Sequence, residues 1–586
     1  MPHKQETPFD LPGLNLPIHY KPEHNGDGFR CANALDEQDI EDDLCGYTFT
    51  LRELTMMRII EMVTDKPDWD KKVHNEEILN KWRDEITASG QDVSPAMIDY
   101  IFAELKWKAE EYEKSGIVTA YDPGVVKSDL AIPADLQTRL QAAVKPLEDI
   151  PEEEKDYHPR SDNKVVDLVH PSLFPLIHGR TLVLRDSLIG VDDCFSRIGQ
   201  GLPLREPGLR IHRSPPGILK THSENFQWLP SNVEFTANGE CRTASYINNL
   251  HPAKHRNLYK IIEEILTRTI PLWNITLARR DDLPYRIDYK EVEFPEDGEP
   301  QPEEEEDDGD DYFEIMQEWQ DRQHVVPPEP DLFKPPSSTN TNPVNLQKQF
   351  AEKGLQVIVK LANIELTPDK PTYEGGSWHI EGQLNERICA TAIYYYSSSN
   401  ITTNTLSFRH RFSSETIEEV HYEQSQFQFL RVFGFDFTAS EDYHDYDGEF
   451  TQDLGSVETR EGRLLTFPNT LQHCVSPFEL VDKTKAGHRK ILAFFLIDPN
   501  RRVISTANVP PQREDWCNEW KSAVREALAP RLPVELQEMV QRGTEWEPMG
   551  MEEAKEWRLN LMNERSVQSE FGNKAFEVGH FSLCEH

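Results

Sequence analysis

Gly376-Ser377-Trp378-His379-Ile380-Glu381-Gly382, answered much later by Phe467-Pro468-Asn469-Thr470-Leu471-Gln472-His473, are the stretches whose reading decides the fold. Glycines bracket the first stretch, and a strand-like run over 387–396 follows it. Side chains at i and i+2 of a strand share a face. His379 and Glu381 can therefore point at one ion, with His473 as third ligand. An H-x-E pair recurs often by chance, so its weight comes from what surrounds it.

What surrounds it is β-patterned. Leu355, Val357, Val359 and Leu361 alternate with their neighbours, as do Ile388, Ala390, Ala392, Tyr394 and Tyr396. So do Leu406, Phe408, His410 and Phe412, and again Phe427, Phe429, Arg431, Phe433 and Phe435. Runs at 464–467 and 491–497 complete the set. Several short strands with turn signals between them predict a sandwich or jelly roll.

Composition narrows the partners. The 586 residues carry a formal net charge of −41. Phosphate binding needs Lys and Arg on the contact face, so no nucleic-acid partner is expected, nor an anionic membrane surface. The eight cysteines are scattered with no C-x-x-C pair, which indicates neither a zinc knuckle nor a disulfide framework. The N-terminal residues lack the apolar run of a signal peptide, and the densest apolar run, 491–497, is too short to span a bilayer. The expectation is a protein of a reducing compartment, cytoplasmic or nuclear.

Outside the β region the chain reads as helix and linker. Residues 1–163 are expected to be a mostly helical N-terminal region. Thr50 and Glu53 form a capping-box pattern opening a helix through Met62. Ser94, Pro95 and Gly116 suit the cap, first turn and end of a second helix, with Ile98, Ile101, Leu105, Ala109 and Tyr112 on its apolar face. Residues 164–290 form a mixed α/β region, with a helix near 256–268 that Pro271 is expected to end. Residues 291–344, acidic and then rich in Pro, Ser, Thr and Asn, are expected to be a flexible insertion. Residues 345–510 hold the jelly-roll core. Residues 511–586 form a C-terminal helical cap, with Trp516, Trp520, Val524 and Leu528 on one stripe. The fold class is therefore α+β.

Two His and one carboxylate on one face of a metal form the ligand set of non-haem Fe(II) oxygenases. The run Gly462-Arg-Leu-Leu-Thr-Phe-Pro-Asn469, with His473-Cys-Val475, resembles the second metal motif of the Fe(II)/2-oxoglutarate oxygenases. The resemblance covers about 355–500 and implies a double-stranded β-helix holding Fe(II), with 2-oxoglutarate and O2 as cosubstrates and an unidentified organic substrate. It implies that Arg489, at the head of the last apolar strand, grips the far carboxylate of 2-oxoglutarate. A planar guanidinium pairs bidentately with a carboxylate. The alternation puts Arg489 on one face with Ile491, Ala493 and Phe495. Where many relatives have a Ser two positions after the Arg, this chain has Ile491. Tyr394, Tyr396 or Thr391 is expected to complete the carboxylate site, and Lys490 and Arg463 are the alternative anchors. Trp378, Tyr395 and Phe467 are candidate pocket walls. Over most of its length the chain resembles a large fungal family of uncharacterised proteins, through Tyr246-Ile-Asn-Asn-Leu-His-Pro252, Gly375–Gly382 and Gly487-His-Arg-Lys-Ile-Leu492.

Other histidines have other readings. His410 is expected to be a hydrogen-bonded core residue, and Cys474 and His488 to face away from the site. His251 with His255, and His421 with Asp442, His444 and Asp445, are weaker metal candidates. The competing functions are a cupin-like metal enzyme that uses no 2-oxoglutarate, a Jumonji-type protein hydroxylase or demethylase, and a non-enzymatic jelly-roll interaction protein.

Overall fold

The computed structural model describes residues 31–41, 46–204, 221–278, 286–295, 300, 302, 311–336, 344–413, 416, 417, 419–422, 427–435, 445–528, 533, 536 and 546–582. Its helices are α1 Leu51–Thr64, α2 Glu76–Thr87, α3 Pro95–Ser115, α4 Ala134–Glu148, α5 Arg256–Thr276, α6 Glu514–Leu528 and α7 Met551–Glu577, besides shorter ones. The strands that matter below are β1 Val118–Tyr121, β2 Val125–Ser128, β3 Val165–Val169, β4 Ser231–Phe235, β5 Cys241–Thr243, β6 Leu355–Leu366, β7 Ile388–Ser399, β8 Thr405–Arg411, β9 Thr451–Glu458, β10 Leu464–Pro468, β11 Gln472–Val475 and β12 Gly487–Ile497. Helices and antiparallel sheets together make the chain α+β.

Local chemistry sets the helix ends. The Thr50 side chain accepts from the Glu53 N–H while Glu53 accepts from the Thr50 N–H, which starts α1. Ser94 caps α3, Pro95 occupies its first turn, and Gly116 ends it at φ 67, where a side chain would be strained. Pro271 does not end its helix: α5 continues to Thr276. Leu272, Trp273 and Thr276 are all buried, and this packing outweighs the lost N–H and ring clash.

A nine-stranded antiparallel sheet organises the molecule, in the order β1-β2-β10-β7-β12-β6-β4-β5, with β3 also paired to β6. A second sheet, β9-β8-β11, faces it. The central strands are buried on both sides. Leu355, Val357, Val359, Leu361, Ala390, Ala392, Tyr394, Leu492, Phe494 and Leu496 pack on α4 and α5. The other face, with Ile358, Ile393, Tyr395, Leu465, Phe467, Ala493, Phe495 and Ile497, packs on Leu406, Phe408, Leu454 and Val457 of the second sheet. The space between the sheets is the interior in which the candidate site lies.

Several expectations need correction. The N-terminal region supplies not only helices but also the hairpin β1–β2, which extends the large sheet through β10. The phenylalanine alternation over 427–435 is not a strand: Phe427–Val432 is a 3-10 helix, and Phe429, Leu430, Phe433 and Phe435 fill a separate core with Phe412 and Phe450. Within the acidic and Pro-rich insertion, a helix spans Asp311–Arg322. Phe333 packs on Tyr100 and Trp107, and Arg52 donates to the Pro327 and Pro328 carbonyls. Residues 303–310 lie outside the described residues. Of the expected stripe on α6, Trp516 is buried, Val524 half-buried and Trp520 exposed, so it is not a continuous buried face among the described residues. Among the described residues no helix is long and apolar enough to cross a membrane.

His410 is wholly buried on β8, its Nε2 3.0 Å from Gln452 Oε1 and its ring 5.3 Å from that of Phe49. Burial lowers its pKa to about 4, against an ordinary value near 6.5. Between those values the unfolded chain binds the proton and the folded one does not, so stability falls as pH drops. Replacing His410 by Phe should reduce the loss of unfolding free energy between about pH 7 and pH 5 by about 2 kcal/mol. Denaturant melts at the two pH values check this, and equal losses in both proteins would contradict it.

Candidate metal centre

The segments around His379 and His473 meet in space. The two residues form an isolated antiparallel bridge: the His379 N–H donates to the His473 carbonyl at 3.2 Å, and the His473 N–H to the His379 carbonyl at 3.0 Å. Asn469 pins the next residues. Its Oδ1 accepts from the Glu381 N–H at 3.0 Å, and its Nδ2 donates to the Glu381 and Ile388 carbonyls at 2.9 and 3.0 Å. Gly375 permits the approach: it sits at φ 89, and a Cβ there would meet the Val475 carbonyl oxygen at 2.7 Å.

The three side chains converge. Glu381 Oε1 is 3.8 Å from His379 Nε2 and 3.5 Å from His473 Nε2, and the imidazole rings are 4.2 Å apart. One potential ligand atom from each residue lies within 4.8 Å of the others. Neighbouring ligands on a metal with bonds of about 2.1 Å sit about 3 Å apart, so small rotations would seat an ion. His379 Nδ1 lies 2.8 Å from the Ser377 carbonyl and donates to it, so the neutral ring turns the lone pair of Nε2 inward. His473 Nδ1 has no such partner. Burial alone would raise the Glu381 pKa, but the two imidazoles beside it hold it well below the usual carboxylate range. Burial and the charge of His379 lower His473 to about 4. An ionised carboxylate and a neutral imidazole are the forms that bind metal.

Arg489 lies on the same interior face, opposite Ile364 of β6 and Ser398 of β7. Only 4% of it is exposed. Its Nη1 donates to Asn404 Oδ1 at 2.7 Å, its Nε has no partner, and its guanidinium lies over Phe478 and Tyr395 at 5.1 and 5.7 Å. Among the described residues no carboxylate lies within 4.0 Å of it. Burial lowers its pKa. The alternative anchors are engaged: Lys490 pairs with Glu148 at 2.8 Å on the helix side, and Arg463 with Asp129 and Asp65 at 2.7 and 2.8 Å.

The other candidates divide by strand parity. Thr391 faces the interior opposite Phe467 and Phe495, with a buried, unpartnered Oγ1. Phe467 lies 4.7 Å from the His473 ring, and Tyr395 lies under Arg489. Tyr394 and Tyr396 do not belong here. They sit one position off, in the helix-covered core, and the Tyr396 hydroxyl donates to Asn363 Oδ1 at 3.2 Å. Trp378 also turns away: Arg409 stacks on it at 4.7 Å, and its carbonyl accepts from Asn573 of α7 at 2.8 Å. Cys474 points at the Gly376 carbonyl and His488 at Ser397, both off the site. His251 packs on Phe195 and Trp516, and no metal group forms there among the described residues. Asp442 and His444 lie outside the described residues. The sequence reading missed Asn404 and the clamp role of Asn469. Within the expected C-terminal helical cap, Arg565 of α7 lies 3.8 Å over the Trp228 ring and pairs with Glu386.

The family model described as "Protein of unknown function (DUF4246)" matches residues 95–520, and the one for its N-terminal domain matches residues 11–85. The chain belongs to this family. No curated protein matches the sequence. Among solved structures, the selenomethionine-labelled Fe(II)/(alpha)ketoglutarate-dependent dioxygenase TqaL is similar over 32% of this chain and 52% of its own, at 14% identity and a TM-score of 0.15. A bsmA homologue from Methylobium petroleophilum PM1 is similar over 26% of this chain and 46% of its own, at 11% identity and a TM-score of 0.15. The chain thus spans about half the length of each.

If the three residues form one centre, His473→Ala and Glu381→Ala should each lower the affinity for Zn(II) or Mn(II) by at least about tenfold, since either removes one of three ligands. Cys474→Ala should leave it unchanged. Equilibrium dialysis checks this, with circular dichroism as the folding control. Undiminished binding by both ligand variants would refute the centre.

Proposed function

We propose that the two facing sheets form a double-stranded β-helix and that the protein is an Fe(II)- and 2-oxoglutarate-dependent oxygenase. The observation that carries the reading is a set of two histidines and one carboxylate whose side chains converge, with an arginine on the inner sheet face that has no carboxylate partner among the described residues. The donor set suits Fe(II), since two neutral imidazoles and one carboxylate leave three positions open. Iron and keto acid, when bound, supply the oxidising chemistry from O2.

The chain's own residues have simpler tasks. His379, Glu381 and His473 hold the metal on one side, and Asn469 keeps their loops in register. Arg489 receives the far carboxylate, with Asn404 orienting its Nη1 and Tyr395 and Phe478 shielding it from water. Thr391 Oγ1 offers a hydrogen bond within the interior. Phe467, Phe495 and Ile393 exclude water from the reacting centre. A cupin-like enzyme without 2-oxoglutarate would use the same triad but gives the buried Arg489 no task.

Under air with Fe(II) and ascorbate, the protein should convert 2-oxoglutarate to succinate even without its substrate, at a slow uncoupled rate. Arg489→Met should raise the KM for 2-oxoglutarate by about tenfold or more, the loss of a charge-assisted pair. Succinate measured against time checks both. Metal-loaded protein that forms none would contradict the proposal.

A further inference from the structure

The interior sheet face carries a second cation. Lys360 of β6 is opposite Ala493 of β12, in the row of Ile358 and Ile364 that faces the second sheet. It lies four residues along β6 from Ile364, the position opposite Arg489, about 13 Å at strand spacing. The two cations therefore cannot serve one small carboxylate. Beyond Lys360, β3 continues the same face: Asp167 is opposite Ala362, two positions from Lys360. Asp167 Oδ2 lies 2.8 Å from His158 Nδ1 and 3.6 Å from Arg558. His170 packs against His158 and Trp228, and Trp228 stacks on Phe495 at 5.8 Å.

In register, Lys360 lies two positions from the residue opposite Asp167, next to the cluster of His158, Asp167 and His170. Were Lys360 only the counter-ion of Asp167, the two would pair, yet among the described residues no carboxylate lies within 4.0 Å of its Nζ. A second metal in the histidine cluster is not the answer. The Ser172 N–H donates to His170 Nδ1 at 3.1 Å, so the neutral ring carries its proton on Nε2 and has no lone pair to give.

We propose that Lys360 is the substrate-binding cation of the site and that the substrate is an apolar carboxylic acid. The carboxylate rests on Lys360, and the apolar body lies along Ile358, Ile393, Ala493, Phe495 and Trp228 toward the metal. This rests on the proposed function for its chemistry, but the anion subsite stands on Lys360 alone. A flexible ammonium suits a single carboxylate whose position varies with the body attached to it.

The test uses the full chain loaded with redox-inert Zn(II), with and without 2-oxoglutarate, titrated calorimetrically with octanoate and with its neutral isostere octanamide. Octanoate should bind saturably and more tightly than octanamide. Lys360→Met should weaken octanoate by about tenfold or more, leave octanamide unchanged, and keep 2-oxoglutarate affinity within about twofold of wild type. Lys360→Arg should restore the preference for the anion, which separates charge from folding. No octanoate binding by wild type, or equal binding by Lys360→Met, would overturn the proposal. So would an equal fall in 2-oxoglutarate affinity, which would assign Lys360 to the keto acid. Lys360-dependent octanoate binding in a protein that takes up no 2-oxoglutarate would keep the subsite and sink the oxygenase reading.

Discussion

Two backbone hydrogen bonds exchanged between His379 and His473 hold the candidate site together. Neither residue lies within a long strand, and a long stretch of chain separates them. The reciprocal pairing puts one segment into register with the other, and Asn469 locks Glu381, two positions on, through both its N–H and its carbonyl. With the backbone so held, the i and i+2 positions of the first segment and the facing position of the second must share a side. Every later property of the centre, including the convergence on Glu381 Oε1, follows from that register.

Electrostatics then separates site from scaffold. An ion buried without a partner costs several kcal/mol, and folded proteins rarely carry that cost for packing alone. Lys127, Arg286, Arg463 and Arg558 are buried, and each meets a carboxylate. Arg489 is also buried and leans instead on one amide oxygen and two aromatic faces. A bound anion would relieve this, so the same residue lowers the stability of the empty protein and raises affinity for the ligand. A cleft of about 310 Å3 lined by Asp65, Asp68, Lys127 and Arg460 among others contains none of the site residues, and its Lys127 and Arg460 both pair with Asp65. It reads as a gap beside an ion-pair network.

Part of this was legible in the sequence because local chemistry decided it. The caps at Thr50 and Ser94 and the stop at Gly116 each depend on a few neighbouring residues. Pro271 misled because buried Trp273 and Leu272 hold the helix beyond it, a contact no local window contains. The triad residues were named from spacing and resemblance, and the structure draws them together. Tyr394 and Tyr396 were misplaced for a definite reason. The central strands are apolar on both faces, so alternation identifies two faces without saying which one meets the second sheet. The conspicuous row Leu355, Val357, Val359, Leu361 turned out to be the helix-covered one. Lys360, in the quieter row, was the signal of the site face and went unread. Asn469 lay within the quoted motif, but its clamp depends on carbonyls far away in sequence.

The central claim is that one cavity holds a metal on two histidines and a carboxylate and, beside it, a keto acid anchored by Arg489. Anaerobic titration of the Fe(II)-loaded protein with 2-oxoglutarate, followed by visible absorbance, tests it most directly. A metal-to-ligand charge-transfer band that saturates with 2-oxoglutarate, vanishes in His379→Ala and needs higher keto-acid concentration in Arg489→Met is the predicted result. Stoichiometric iron with no such band at any 2-oxoglutarate concentration would contradict the account.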